Sequence, residues 1–190
     1  NSYALQPIQQ FRYTIGKNST DSAMIIDAMD ILHSEQVDGF CLVSSDSDYT
    51  RLATRIRESG KLVVGIGRKL TPRAFVSACN VFIYTENLVT KQVQKSIKPK
   101  PPEKAEEISP QELELIDHID QAIDMAGSDE DGWANLSEVG TALRRIDPGF
   151  DPRTYGVKQL SQLVRARKSN YDLKKLAGKS IIHIRSKNDD

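Results

Sequence analysis

Two aspartates, two positions apart, are the residues of this chain best suited to chemistry. Asp46 and Asp48 lie in the segment Ser-Ser-Asp-Ser-Asp-Tyr, directly after the apolar residues 40–43. Clustered aspartate oxygens bind Mg²⁺ or Mn²⁺, and such ions neutralise the charge of a phosphodiester and activate water. The pattern therefore indicates metal-dependent phosphodiester hydrolysis.

A third carboxylate, Asp21, lies at the opening of a predicted helix, and Lys17 and Asn18 precede it at positions suited to contact a phosphate. A structural interpretation competes for each of these acids. An aspartate in the first helical turn stabilises the helix dipole, and an Asp-Ser-Asp segment after a strand often caps the next helix. Spacing alone leaves both interpretations open.

Helical and strand patterns alternate along the first half of the chain. In order, they predict a helix over 20–33, a fully buried strand over 40–43, a helix over 49–58 that ends at Gly60, a strand over 62–66, a short helix capped by Thr71, and a strand over 81–84. Such units form a parallel sheet covered by helices on both faces. Asp46 and Asp48 then lie at the carboxyl edge of the sheet, where active sites of these folds collect.

The second half has a different pattern, with three helices and a final pair of strands. We expect helices over 112–126, 137–146 and 157–167, with short strands over 133–136, 171–173 and 181–185. Leu113, Ile116 and Ile119 should share the buried face of the first helix, and Ser137 should cap the second. This order is typical of a winged helix-turn-helix.

Proline, lysine and glutamate dominate residues 91–109, which we interpret as a flexible linker. The chain has 190 residues and a formal net charge of zero. No apolar run is long enough for a membrane span and no signal peptide is visible, so we expect a cytoplasmic protein. Cys41 and Cys79 have apolar neighbours, which favours buried free thiols.

Charge is segregated within the second half. Residues 110–151 are rich in acids, whereas the only acid in residues 153–187 is Asp172, among ten lysines and arginines. A basic third helix and wing favour binding to a nucleic-acid backbone, and a solvated basic surface is the alternative. The exposed bases that we expect to contact RNA are Arg153, Lys158, Arg165, Arg167 and Lys168.

Four sequence blocks in residues 16–88 together resemble the NYN nuclease domain, which has a PIN-like fold. They read GKNSTD, SSDSDY, GKLVVGIG and ACNVFIY, in that order. The resemblance implies an RNA-cleaving α/β domain that uses Mg²⁺ or Mn²⁺. It places Asp21, Asp46 and Asp48 at the family's metal-binding positions, with Lys17, Asn18 and Ser44 lining the same cleft.

One departure from the NYN pattern concerns its first strand, which in the family carries a further metal-binding aspartate. Residues 1–15 contain no aspartate or glutamate. We therefore expect that strand to be missing here and the domain to be incomplete. Two interpretations remain open, a nuclease whose last ligand lies upstream and a non-catalytic relative.

The second half resembles the OST-HTH/LOTUS domain over residues 111–187. The blocks WANLSEVGTALRRI and FDPRTYGVKQLSQLV carry this resemblance. It implies RNA binding, including guanine-rich structured RNA, and in some members binding to a helicase. We expect Phe150, Tyr155 and Gly156 to set the turn before the third helix. The expected core residues are Trp133, Leu136, Leu143, Leu160 and Leu163.

These patterns together predict an α/β protein in three parts: a PIN-like parallel sheet flanked by helices over residues 1–90, a linker over 91–109, and a small winged-helix domain over 110–187. The expected function is metal-dependent cleavage of single-stranded or structured RNA, with the winged helix as the RNA-binding module. The alternatives are a non-catalytic RNA-binding regulator and an adaptor that binds a protein partner through the winged helix.

Overall fold

A computed structural model describes residues 6–10, 19–89, 109–175 and 181–187. Two hydrophobic cores form within these residues, one from each half of the chain. The expectations for Lys17, Asn18, the first strand and nearly all of the linker fall outside the described residues. None of the described helices is long and apolar enough to cross a membrane.

Three parallel strands and three helices make up the described part of the first half. The elements are α1 (Ser19–His33), β1 (Gly39–Val43), a 3-10 turn (Ser47–Tyr49), α2 (Thr50–Glu58), β2 (Leu62–Gly67), α3 (Arg73–Ala78), β3 (Val81–Tyr84) and a second 3-10 turn (Thr85–Asn87). The sheet order is β1-β2-β3, and both pairs are parallel. The predicted parallel α/β arrangement is therefore confirmed.

Strand β1 differs from the expected fully buried strand. Leu42 is buried, but Cys41 is exposed and the side chain of Val43 is 68% exposed. Successive side chains of a strand point to opposite faces, and only the face with Phe40 and Leu42 packs on the described core. The prediction of a buried thiol is thus wrong for Cys41, whereas Cys79 is buried as expected.

Two glycines in β2 allow close contacts on one face of the sheet. A Cβ atom on Gly65 would lie 2.4 Å from Cδ2 of Phe82, and one on Gly67 would lie 2.4 Å from the backbone oxygen of Ser44. Residues two apart in a strand share a face. The Gly-Ile-Gly sequence therefore serves packing of the Phe82 ring and of the loop that follows β1.

In the second half, the described residues form three helices and a three-stranded antiparallel sheet. The elements are α4 (Pro110–Ala126), β4 (Ala134–Asn135), α5 (Leu136–Ile146), a 3-10 turn (Pro152–Tyr155), α6 (Leu160–Arg165), β5 (Tyr171–Lys175) and β6 (Ile182–Ser186). The strand order is β4-β6-β5. Gly156 has a left-handed backbone (φ 79°) and ends the turn before α6, as expected. Helix α6 is shorter than the predicted 157–167.

The two N-terminal helix caps predicted from the sequence, Thr71 and Ser137, are both wrong. The side chain of Asn135, and not that of Ser137, accepts a hydrogen bond at the start of α5, from the Ser137 backbone N–H at 2.9 Å. Helix α3 begins after Pro72 and has no side-chain cap, while Thr71 is buried. Helix α3 begins one residue after the position that a Thr71 cap requires, and α5 begins two residues before the position that a Ser137 cap requires.

The buried face of α4 also differs from the prediction. Leu115 is 1% exposed and Ile119 is fully buried, whereas Leu113 is 53% exposed. Leu115, Ile119, Ala122 and Ile123 follow helical spacing and define the face that packs on the core. Leu113, two positions before Leu115, therefore points towards the other side of the helix.

Candidate acidic site and nucleic-acid interface

The loop after β1 carries the first two candidate acids at the carboxyl edge of the sheet. The backbone N–H of Asp46 donates to Oγ of Ser44 at 3.1 Å, and the N–H of Asp48 donates to Oδ1 of Asp46 at 2.9 Å. Asp46 thereby caps the 3-10 turn that leads into α2. Asp46 thus has the capping role that the structural interpretation predicts, and the Ser44 hydroxyl also has a local role.

Tyr49 brings the third candidate acid to the same place. Its hydroxyl donates a 2.8 Å hydrogen bond to Oδ1 of Asp21, which lies near the start of α1. Burial, the hydrogen bond to Asp21 and the negative charges of Asp21, Asp46 and Asp48 together raise the pKa of Tyr49 to about 12. Asp21 is therefore bonded to the Tyr49 hydroxyl, and Asp46 and Asp48 lie near enough for their charges to act on it. Sequence reasoning assigned no role to Tyr49, although its place directly after Asp48 was a usable signal.

These three carboxylates do not fit a metal site built from protein side chains alone. Across the described ranges, no group of three histidine, cysteine, aspartate or glutamate side chains could hold a metal ion. Asp21 is directed to the Tyr49 hydroxyl, and Asp46 accepts the N–H of Asp48. The arrangement concentrates negative charge without forming a closed set of ligands.

Two cationic residues follow β2 at the same edge of the sheet. The backbone N–H of Arg68 donates to Oγ of Ser45 at 2.9 Å, and that of Lys69 donates to both carboxylate oxygens of Glu86 at 3.0 and 3.1 Å. The hydrogen bond from Lys69 is the main cause of a lowered pKa for Glu86. Both cationic side chains are exposed, so they are candidates for phosphate contact that sequence analysis missed.

Of the five bases expected to contact RNA, Lys158, Arg165 and Lys168 are exposed on and around α6. The expectation that Arg167 is an exposed base is wrong, because its side chain is only 13% exposed. It donates two hydrogen bonds to the carboxylate of Glu112, at 2.7 and 2.9 Å, and a third to the backbone oxygen of Leu163. This arginine joins α4 to α6 and belongs to the framework of the domain.

Arg153 also has protein partners, although it remains half-exposed. Its Nε lies 3.0 and 2.9 Å from the two carboxylate oxygens of Asp151, and it also donates to the backbone oxygen of Asn87 at 3.1 Å. Burial alone would raise the pKa of Asp151, but the hydrogen bonds from Arg153 lower it overall. Arg153 therefore joins the two halves of the chain.

Trp133 lies against the β5–β6 hairpin and not in the core, in contrast to the prediction. Lys174 and Arg185 lie over its ring, at 5.5 and 4.9 Å from the ring centre. Cations attract the face of an indole ring, so these contacts fix two basic side chains of the hairpin. Asp172 pairs with Lys187 at 3.1 Å and with Arg185 at 3.5 Å, which compensates the one acid of this basic segment.

These features define a parallel α/β domain with an acidic edge, followed by a small helical domain with a basic hairpin. The NYN domain family matches residues 1–88, and the OST-HTH/LOTUS domain family matches residues 111–183. The chain therefore carries an NYN domain followed by an OST-HTH/LOTUS domain. The first has a ribonuclease-like fold, and the second implies RNA binding.

One solved structure is similar to part of this chain. It is the solution NMR structure of an uncharacterized protein from Nitrosomonas europaea, with 34% sequence identity. The match covers 50% of this chain and 90% of that protein, with a TM-score of 0.35. A comparison with curated proteins found no match.

Proposed function

We propose that this protein is a metal-dependent endoribonuclease that uses its OST-HTH/LOTUS domain to bind RNA. The proposal is carried by Asp21, which accepts a hydrogen bond from Tyr49, together with Asp46 and Asp48 of the adjoining loop at the carboxyl edge of a ribonuclease-like sheet. Arg68 and Lys69 follow the neighbouring strand at that edge and offer positive charge to a phosphate. The RNA backbone would therefore meet cations beside the acids.

The metal requirement is part of the proposal, with Mg²⁺ or Mn²⁺ as the ion. Because the described carboxylates form no three-residue group, an ion at this edge needs ligands besides Asp21, Asp46 and Asp48. Mg²⁺ commonly uses only one or two carboxylates and takes its other ligands from water and substrate phosphates. Oxygen ligands of that kind are compatible with this site.

Binding of RNA is assigned to the basic surface of the second domain. Lys158, Arg165 and Lys168 are its exposed members, and each neutralised phosphate releases counterions and strengthens binding. We propose single-stranded or structured RNA as the ligand, and guanine-rich RNA is the first sequence class to compare. A protein partner on the same surface is an alternative that a competition assay would reveal.

A non-catalytic RNA-binding regulator is the second candidate, and a specific observation favours it. Asp21 and Asp46 already accept hydrogen bonds within the protein, and no closed metal-ligand group exists among the described residues. An acidic edge that only supports Tyr49 and the start of α2 would have these features. In that case RNA would bind and remain intact.

Incubation of labelled single-stranded and structured RNA with Mg²⁺, Mn²⁺ or EDTA separates the two candidates. The endoribonuclease proposal predicts internal cuts that require a divalent ion and stop in EDTA. Tight binding without cuts in any metal would support the regulator. Binding should be followed in the same samples by fluorescence anisotropy, so that a failure to cut is not confused with a failure to bind.

A further inference from the structure

A cleft of about 370 Å³ lies between the two domains. The domains meet where the backbone N–H of Phe82 donates to the backbone oxygen of Pro148 at 2.8 Å. Close by, the side-chain amide of Asn87 donates to the hydroxyl of Thr154 at 3.1 Å. The cleft volume falls within the range of pockets that bind small ligands.

Close packing at this interface depends on a glycine. A Cβ atom on Gly149 would lie 2.8 Å from the hydroxyl oxygen of Tyr84, and 3.1 Å from two atoms of its ring. Gly149 does not have a positive φ angle, so alanine is compatible with its backbone. A change to alanine would therefore disturb the Tyr84 contact without straining the turn itself.

The cleft opens at the same edge of the sheet as the acidic site. Lys69 follows β2 and Tyr84 ends β3, and both line the cleft. The acids follow β1, and the carboxyl ends of parallel strands share one edge. The hydrogen bond from Arg68 to Ser45 joins the loop after β2 to the acidic loop. An RNA chain that leaves the acids over Arg68 would thus reach the cleft.

Aromatic rings and neutral polar groups line the cleft alongside charged side chains. Tyr84 and Tyr155 are both half-exposed, and burial is the main cause that raises the pKa of each hydroxyl. Both therefore remain protonated and able to donate hydrogen bonds at neutral pH. Gln111 and His118 of α4 add further groups able to form hydrogen bonds.

Charge in the cleft is largely balanced. Glu114 pairs with Arg73, and Asp151 pairs with Arg153. The carboxylate of Asp147 accepts the backbone N–H of Gly149 at 2.9 Å. A cleft without excess positive charge is poorly suited to a phosphate, whereas tyrosine rings stack on unpaired bases and polar groups bond to base edges.

We propose that the cleft between the two domains binds an unpaired nucleobase of the RNA, next to the acidic site. This inference rests on the proposed RNA-directed function and adds a position where the substrate is held by both domains at once. Base insertion needs a nucleotide outside a helix, so the cleft favours single-stranded segments. The OST-HTH/LOTUS domain then helps to place the RNA at the acids in addition to capturing it.

Binding of a fluorescent single-stranded RNA to the full chain, measured in EDTA, tests this site without any cleavage. Tyr155→Leu keeps apolar bulk but removes the ring, and it should weaken binding roughly tenfold, as expected for loss of one stacked base. Gly149→Ala should weaken binding in the same direction by displacing Tyr84. Gly140→Ala is the matched control, since its Cβ meets only Leu160, at 3.4 Å.

Photocrosslinking of wild-type protein to RNA that contains 4-thiouridine keeps the test independent of variant folding. Adducts on peptides that contain Tyr84 or Tyr155 support the cleft. Unchanged affinity in folded Tyr155→Leu and Gly149→Ala, with adducts only on α6 and the β5–β6 hairpin, would overturn it and leave the proposed function standing. Absence of any RNA binding by the wild type would overturn both.

Discussion

Tyr49 is the residue whose hydroxyl interacts with the three acids of the first domain. It is buried, it donates to Asp21, and the charges of Asp46 and Asp48 act on it. Removal of its proton would place a further negative charge among carboxylates in a poorly solvated position. The acidic site therefore depends on a protonated tyrosine.

Stability at alkaline pH should reflect this tyrosine. The pKa of Tyr49 is raised from 10.0 to about 12 in the folded protein, so its contribution is complete below pH 10 and is lost as the pH rises from 10 towards 12. The loss should be on the order of 2 kcal/mol. Urea unfolding at neutral and alkaline pH would measure it, with Tyr49→Phe as the comparison. Equal alkaline losses in both proteins would contradict this assignment.

Arg167 is predicted to stabilise the second domain. Arg167→Ala leaves the half-exposed carboxylate of Glu112 and the Leu163 carbonyl without their donor. The free energy of unfolding should fall by about 1–3 kcal/mol. Lys168→Ala, at the exposed neighbour, should change it by no more than about 0.5 kcal/mol. Equal effects of the two substitutions in urea unfolding would refute the distinction.

Sequence reasoning identified the acids but not their partners, because the partners come from distant parts of the chain. Asp21 and Tyr49 are 28 positions apart, and Arg167 and Glu112 are 55 apart. The sequence shows that Arg167 is basic, and helical spacing places it close to α6. It does not show that a glutamate from α4 lies against it.

At the scale of elements, the strands and helices were predictable because apolar runs alternate with turn residues. The positions of the helix ends and the buried faces of the elements were less predictable. Asn135 and Ser137 are both good capping residues, and the position at which the chain turns into α5 decides between them. Leu113 and Leu115 are equally apolar, and only packing against the second core selects Leu115. Cys41 is exposed because only the face of β1 with Phe40 and Leu42 packs on the described core, which the sequence did not reveal.

Strand β2 and the acidic loop should respond together to a change at Gly67. The added Cβ of Gly67→Ala would lie 2.4 Å from the Ser44 backbone oxygen and 2.8 Å from Oγ1 of Thr71. Backbone must shift to relieve the first contact, so we expect a loss of about 1–3 kcal/mol in the free energy of unfolding and weaker RNA cleavage. Thermal unfolding and a cleavage assay test both effects.

The control for that substitution is Gly140→Ala in α5, which should be neutral or slightly stabilising because alanine favours helix. A Gly67→Ala protein with wild-type stability and wild-type cleavage would show that the loop after β1 tolerates displacement. The close approach of β2 to the acidic loop would then have no functional role.

For the whole molecule, RNA affinity should depend on salt through the second domain. Replacement of Lys158, Arg165 and Lys168 by alanine removes three exposed charges. The slope of log affinity against log salt should decrease by about two, at roughly 0.7 per phosphate contact on single strands. Anisotropy titrations over a range of salt concentrations measure this slope. An unchanged slope would indicate that the main RNA-binding surface lies on the first domain.

The contact between the domains changes the expected role of the second one. A module on a flexible linker only raises the local concentration of substrate. Here the Phe82–Pro148 and Asn87–Thr154 hydrogen bonds hold the second domain beside the acidic edge of the sheet. This contact could not be predicted from either half alone, since each half has its own core and its own pattern.

Cleavage of labelled RNA by Asp46→Asn protein in Mn²⁺ is the most direct test of the central claim. The substitution keeps a side-chain oxygen that can accept the N–H of Asp48 but removes the charge. The account predicts that cleavage is abolished while RNA affinity stays close to that of the wild type, and that Asp30→Asn on the exposed side of α1 cleaves normally. Normal cleavage by Asp46→Asn would contradict the account.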